Sequence, residues 1–186
     1  MAAVAVMVLA GCGTAADSEE PVADAAQDES LLAEHGLQGL DAREIVDHLD
    51  SLAAVDRPVD LMASVRAEEL VLTDATADVA LDMPEDVFYL AVAPYVAQTH
   101  ECYFHSLTTC QGELVEQDVQ VRVTDESTGQ VLVDEVRTTF ENGFVGLWVP
   151  RGAAGTVEVS YDGKSGVVEY TTGADSATCV TTLQLT

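Results

Sequence analysis

Two of the four histidines and two of the four cysteines fall within eleven residues: His100, Cys102, His105 and Cys110. Thiolate plus imidazole is the ligand set for copper and for zinc. If residues 100–102 form a strand, His100 and Cys102 point to one face, because side chains repeat every two residues. His105 and Cys110 then return to them across a loop. The zinc-protease pattern is excluded by spacing. His100 and His105 are five apart, which on a helix separates them by roughly 140° at 3.6 residues per turn. The chain has no Cys-x-x-Cys, so neither a thioredoxin-type motif nor paired zinc-ribbon knuckles apply. Gly163-Lys164-Ser165-Gly166 lacks the spacing of a nucleophile elbow and reads as a hairpin tip.

Cys12 and Cys179 complete the cysteine count. An apolar run over residues 2–9 is too short to span a bilayer and reads as the end of a secretory signal. It leads into Leu9-Ala10-Gly11-Cys12, which resembles a bacterial lipobox. No Lys or Arg precedes the run. With Cys12 lipidated, residues 1–11 are the signal peptide and the mature chain is held on the outer face of the cytoplasmic membrane. Cys102, Cys110 and Cys179 remain. An odd number in an exported protein leaves a free or metal-bound thiol, or an intermolecular link that would make a homodimer. The bland alternative is a Cys102–Cys110 disulfide with Cys179 as a buried small hydrophobe, in a sandwich that serves as a binding module. His48, in an expected helix, reads as a surface residue, and His35 sits at a tether edge.

The elements that would position these residues follow from pattern. Residues 17–34 carry seven acidic and no basic side chains, so residues 12–34 read as a disordered acidic tether. Asp41 and Glu44 form a capping box. Ile45, Val46, Leu49, Leu52 and Ala53 make one helical stripe, ended by Arg57-Pro58. The period then changes to two around Leu70 to Leu72 and Val79 to Leu81, while residues 87–93 are apolar on both faces, as in a central strand. Beyond Cys110, strands at 119–124, 131–136, 144–149, 157–161, 167–171 and 178–185 are separated by Thr128-Gly129, Asn142-Gly143 and Asp162-Gly163 turns. In the last of these strands, Cys179 shares a face with Leu183 and Leu185. The fold class is α+β. An N-terminal α+β region at residues 35–95 precedes a mainly antiparallel β-sandwich with the Cys/His site at residues 96–186.

Lys plus Arg is 7 against 33 Asp plus Glu, a net charge of -26. Such a chain is repelled by phosphate backbones and anionic head groups, so nucleic acid is excluded and the membrane is reached by lipid alone.

Three stretches carry a specific resemblance. Residues 88–96 (Phe-Tyr-Leu-Ala-Val-Ala-Pro-Tyr-Val) are followed by Thr99-His100-Glu101-Cys102-Tyr103-Phe104-His105 and by Cys110-Gln111-Gly112-Glu113-Leu114. Asn142-Gly143-Phe144-Val145-Gly146-Leu147-Trp148 and Thr178-Cys179-Val180 come later. Together they resemble the CueP family of exported copper-binding proteins, from about residue 37 to the end. The resemblance implies copper binding through Cys102, Cys110 and Cys179, with His100 and His105 nearby, and a link to copper resistance. It also implies Cu(II) reduction by the thiols; a thiol pair can supply two electrons, and Cys102 and Cys110 are the expected redox pair. Turnover would need an outside thiol reductant, and delivery a copper-accepting protein. Zinc remains an alternative occupant of the same ligands.

Overall fold

The computed structural model describes residues 20–186, with side chains from Gln27 onward. The signal peptide and Cys12 therefore lie outside the described residues. Helix α1 (Glu20–Glu34) occupies most of the stretch expected to be a tether. Its last turn belongs to the fold because Leu31 is fully buried. Leu32, partly buried, packs against the same core, so these two leucines dock the C-terminal end of the helix.

Helix α2 (Ala42–Asp50) begins with the expected capping box: Glu44 N–H donates to Asp41 Oδ1 at 2.8 Å, and Asp41 N–H to Glu44 Oε2 at 3.0 Å. It buries Ile45, Val46 and Leu49. The helix stops at the Ser51 cap, well before Arg57-Pro58, so Leu52 and Ala53 continue the apolar stripe only in sequence.

Strands β1 (Met62–Val65), β2 (Glu69–Thr73) and β3 (Asp78–Asp82) form an antiparallel meander, and β5 (His105–Ser106) adds to its β1 edge. A three-stranded sheet holds β4 (Val87–Val92) between β8 (Val145–Pro150) and β11 (Cys179–Val180), antiparallel to the first and parallel to the second. The third sheet has the order β10-β9-β6-β7, from β6 (Asp118–Asp125), β7 (Val131–Thr138), β9 (Ala154–Tyr161) and β10 (Lys164–Thr171).

The β4 sheet is the middle layer. Phe88, Leu90 and Val92 face the sandwich core with Val121, Leu147, Val149 and Val157. Tyr89, Ala91 and Ala93 face a second core with Ile45, Leu49, Val65 and Leu72. This is why residues 87–93 are apolar on both faces. It is also why residue 95 is no seam: β4 pairs with β8, and β5 returns to the first sheet.

Cys179 shows what happens when a strand ends early. β11 stops at Val180, so the alternation does not carry on to Leu183 and Leu185. Those leucines pack in the sandwich core while Cys179 packs on the opposite side of the middle sheet, with Phe144 and Cys110.

One close backbone approach holds the cysteine loop against this layer. Gly112 N–H donates to Asn142 O at 2.6 Å, and a Cβ on Gly143 would lie 2.6 Å from the Gly112 carbonyl. Gly143 also has φ +79°. Gly143→Ala should therefore carry both backbone strain and a backbone collision, each about 1–3 kcal/mol. Gly152, at φ +69° with nothing described within 4 Å of its Cβ position, supplies the comparison. Denaturant unfolding should find Gly143→Ala clearly less stable than Gly152→Ala; equal losses would mean that the approach is not tight.

Candidate metal centre

Residues 100–104 are a loop without strand pairing, so the expected face-sharing of His100 and Cys102 does not arise from a strand. The loop nevertheless brings both to Cys110. The Cys102 and Cys110 sulfurs are 3.5 Å apart, outside bonding distance. All three described cysteines are free thiols, so the disulfide alternative is not what this structure contains.

Two groups of ligand atoms emerge, each with all members within 4.8 Å of one another: His100, Cys102 and Cys110 toward the surface, and His105, Cys110 and Cys179 below. Three ligands around an ion at about 2.3 Å lie about 4 Å apart, so both groups have the dimensions of a metal site. Cys110 is common to both. The outer group opens on a hollow lined by Tyr95, Thr99, Glu101 and Thr181 as well as His100 and Cys102. The inner one is closed: His105 and Cys179 are buried. Cys179 is thus brought to residues 69 positions earlier in the chain, through the parallel pairing of β11 with β4 and the Thr178 and Cys179 N–H bonds to Tyr103 O.

The inner wall is polar and tightly paired. His105 Nε2 lies 2.8 Å from Asp50 Oδ1, and both side chains are 0% exposed. Asp50 also accepts from Tyr89 Oη and, at 2.7 Å, from Asn142 Nδ2. His105 Nδ1 faces Cys179 Sγ at 3.8 Å, and the ring packs on Phe144 with centroids 4.5 Å apart. His105 N–H donates to Thr178 Oγ1. Arg57, buried, donates to the Cys110 carbonyl at 2.9 Å.

Charge is shared unevenly among the sulfurs. Cys110 is held far below the usual thiol range by hydrogen bonds from Cys102 and Cys179 and by His105, against the opposing effect of burial. The hydrogen bond to Cys110 pushes Cys102 up to about 11, and Cys179 is raised by its bonds to both other cysteines and by burial. Burial works against a charge on His105. The Asp50 carboxylate overcomes it, with help from Cys110, and lifts the imidazole to about 9. These directions favour negative charge on Cys110 and positive charge on His105, with Cys102 and Cys179 as hydrogen-bond donors to the Cys110 sulfur.

The two other histidines stand apart. His48 is exposed on α2, as expected, and His35 lies beside Asp74 at 3.5 Å. Asp50, Tyr89, Asn142 and Arg57 were not marked by their sequence surroundings. One signal was available for Asp50: it follows Val46 by four, which puts a carboxylate on the buried stripe of α2.

A family model described as "Periplasmic copper-binding protein CueP" matches residues 44–184. The chain belongs to the CueP family. It is thus a copper-binding protein of a periplasmic family, as the resemblance of its motifs implied. A solved CueP chain, described as the crystal structure of S.CueP, is 40% identical with a TM-score of 0.80. That match covers 93% of this chain and 100% of that one. No curated protein matches. The CueP match covers α2 from Glu44 onward and every strand named above, and all five expected ligand residues lie inside it. No described helix is long and apolar enough to cross a membrane.

Proposed function

We propose that this CueP-family protein captures copper at the outer His100–Cys102–Cys110 group, reduces Cu(II) with its own thiols, and holds Cu(I) at the inner group. The observation that carries this is the sharing of Cys110 between an open and a closed set of ligands. In the reduced protein a Cu(I) ion bound outside needs only to exchange Cys102 and His100 for Cys179 and His105 to move inward, keeping the Cys110 sulfur; once Cys102 and Cys110 form a disulfide, Cys179 and His105 are the ligands that remain. Copper(II) stands at the top of the divalent affinity order, and thiolates favour Cu(I), so this ligand set draws the ion toward reduction.

The redox step balances within the site. Two Cu(II) ions each accept one electron from the Cys102–Cys110 pair, and an S–S bond forms between those sulfurs. One proton leaves Cys102 and the other leaves the Cys110–His105 pair. His105, now neutral, has Nδ1 free beside Cys179 to hold one Cu(I). Another cycle requires a thiol donor that reduces the new disulfide by exchange, passing through a mixed disulfide at the half-exposed Cys102. Cu(I) then leaves to an accepting protein. Without the donor the protein is a stoichiometric scavenger.

The test is anaerobic addition of excess Cu(II) to the fully reduced protein in the presence of a colorimetric Cu(I) chelator. Two Cu(I) per chain and loss of two of the three thiols at Cys102, Cys110 and Cys179 support the reading. No Cu(I), with every thiol retained, contradicts it. Cys102→Ser should bind copper and fail to reduce it intramolecularly.

The lipid anchor belongs to the same proposal and rests on Leu9-Ala10-Gly11-Cys12. Diacylglyceryl on Cys12 supplies two chains, where a single chain holds only marginally. Cys12→Ser should leave the membrane fraction or remain uncleaved. A variant that fractionates and migrates like the parent chain would refute the anchor.

A further inference from the structure

We infer that Asp50 is a positioning residue that makes Nδ1, and not Nε2, the copper-facing atom of His105. The inference rests on the copper reading of the inner group and adds to it the atom that binds and the residue that selects it. Imidazole usually presents either nitrogen to a metal, and the choice is set by the partner of the other nitrogen. Here that partner is fixed. Asp50 Oδ1 sits 2.8 Å from His105 Nε2, and Nδ1 is on the opposite side, 3.8 Å from Cys179 Sγ.

Asp50 is itself held from several sides. Asn142 Nδ2 donates to Oδ1 at 2.7 Å and to the Asp50 backbone carbonyl at 3.0 Å, while Tyr89 Oη donates to Oδ2. Together with His105 in β5, these partners come from three different places in the chain: β4, β5 and the turn before β8. The carboxylate cannot swing away without stranding buried donors, which costs free energy. A buried carboxylate with no other role would be an expensive way to end a helix that could have ended on Leu. The ring, for its part, packs on Phe144 with centroids 4.5 Å apart.

The substitutions follow from the hydrogen-bond pattern. Asp50→Leu removes the acceptor for Nε2–H and frees the tautomer. Loss of an outer-shell partner of a metal-bound histidine costs roughly 10–100-fold in metal affinity, and that is the drop expected for Cu(I). Asp50→Asn keeps an oxygen for His105 and Asn142 and turns its amide toward Tyr89 Oη, which can accept. It should recover most of the affinity. Tyr89→Phe takes a partner from Asp50 without touching the Oδ1–Nε2 bond, so it should cost stability and leave Cu(I) affinity within a few-fold of the parent value.

The deciding readout is the nitrogen spectrum of histidine-labelled full-length protein loaded with Cu(I), which is diamagnetic. His105 should carry its proton on Nε2, with Nδ1 at a metal-bound shift that Asp50→Leu loses and Asp50→Asn restores. Cu(I) bound at Nε2, a proton on Nδ1 of the loaded protein, or Asp50→Leu with parental affinity would each overturn the inference. If Asp50→Leu does not fold, the spectrum of the parent protein decides alone. Failure of the parent protein to bind Cu(I) at all would instead refute the copper reading on which the inference rests.

Discussion

Cys110→Ser should be the most damaging single substitution for copper. Competition against a Cu(I) chelator under anaerobic conditions should show an affinity loss well above the roughly 10–100-fold expected for an outer-shell partner. Both ligand groups lose their common sulfur, and the remaining pairs, His100 with Cys102 and His105 with Cys179, have no shared ligand through which to exchange an ion. A serine hydroxyl is a hard, protonated oxygen at neutral pH and is a poor substitute for a soft thiolate. Cys102→Ser should do less, within about tenfold for Cu(I), because His105, Cys110 and Cys179 are untouched. Cys179→Ser should fall between them. If Cys102→Ser proves as damaging as Cys110→Ser, the outer and inner groups are one site and not two.

Stability of the reduced, metal-free protein should depend on pH in a way that Cys110 controls. His105 titrates near 6.5 when unfolded and near 9 in the fold. A raised value means that its stabilisation is complete below 6.5 and lost as pH rises through 9. At 1.36 kcal/mol per pH unit this is about 3 kcal/mol. Cys110 has the opposite sign: its folded value is depressed, so it contributes stability above its unfolded value of 9 that is lost as pH falls. Between 6.5 and 9 the fold has gained a proton on His105 and lost one from Cys110, and the two slopes cancel. A plateau is expected there. Above 9 the plateau gives way to a steep fall, because Cys102, near 11, and Cys179 also hold protons that the unfolded chain releases. Cys110→Ser removes the compensating slope, so its stability should decline already between pH 6.5 and 9. Urea melts across pH 5.5 to 10, under reducing conditions with chelator, measure this. A variant with the same plateau as the parent would mean that Cys110 is not the thiolate.

Much of this was legible in the sequence, for identifiable reasons. The Asp41–Glu44 capping box, the alternation at Val119, Val121 and Val123, and the glycine turns are local signals and produced the elements expected of them. The double-faced apolarity of residues 87–93 correctly indicated a central strand. Chemistry-bearing residue types at Cys102, His105 and Cys110 indicated a cluster before any fold was known. The errors came where tertiary contacts overrule pattern. Leu31 anchors a helix in a stretch whose composition suggests none. The loop at residues 100–104 achieves by tertiary folding what strand parity was expected to do. Cys179 leaves its leucine neighbours because two residues of strand carry no alternation past Val180. Asp50 and Asn142, 92 positions apart, have no local signature that joins them.

Sulfur ligation is the property that the captured ion should show most directly. X-ray absorption at the copper edge, on the reduced protein loaded anaerobically with one Cu(I), measures it. The expected shell is two sulfurs and one imidazole nitrogen, from Cys110, Cys179 and His105, with copper–sulfur distances near 2.2–2.3 Å by comparison with about 2.3 Å for zinc–thiolate bonds. A shell of nitrogen and oxygen alone, with no sulfur, would contradict it.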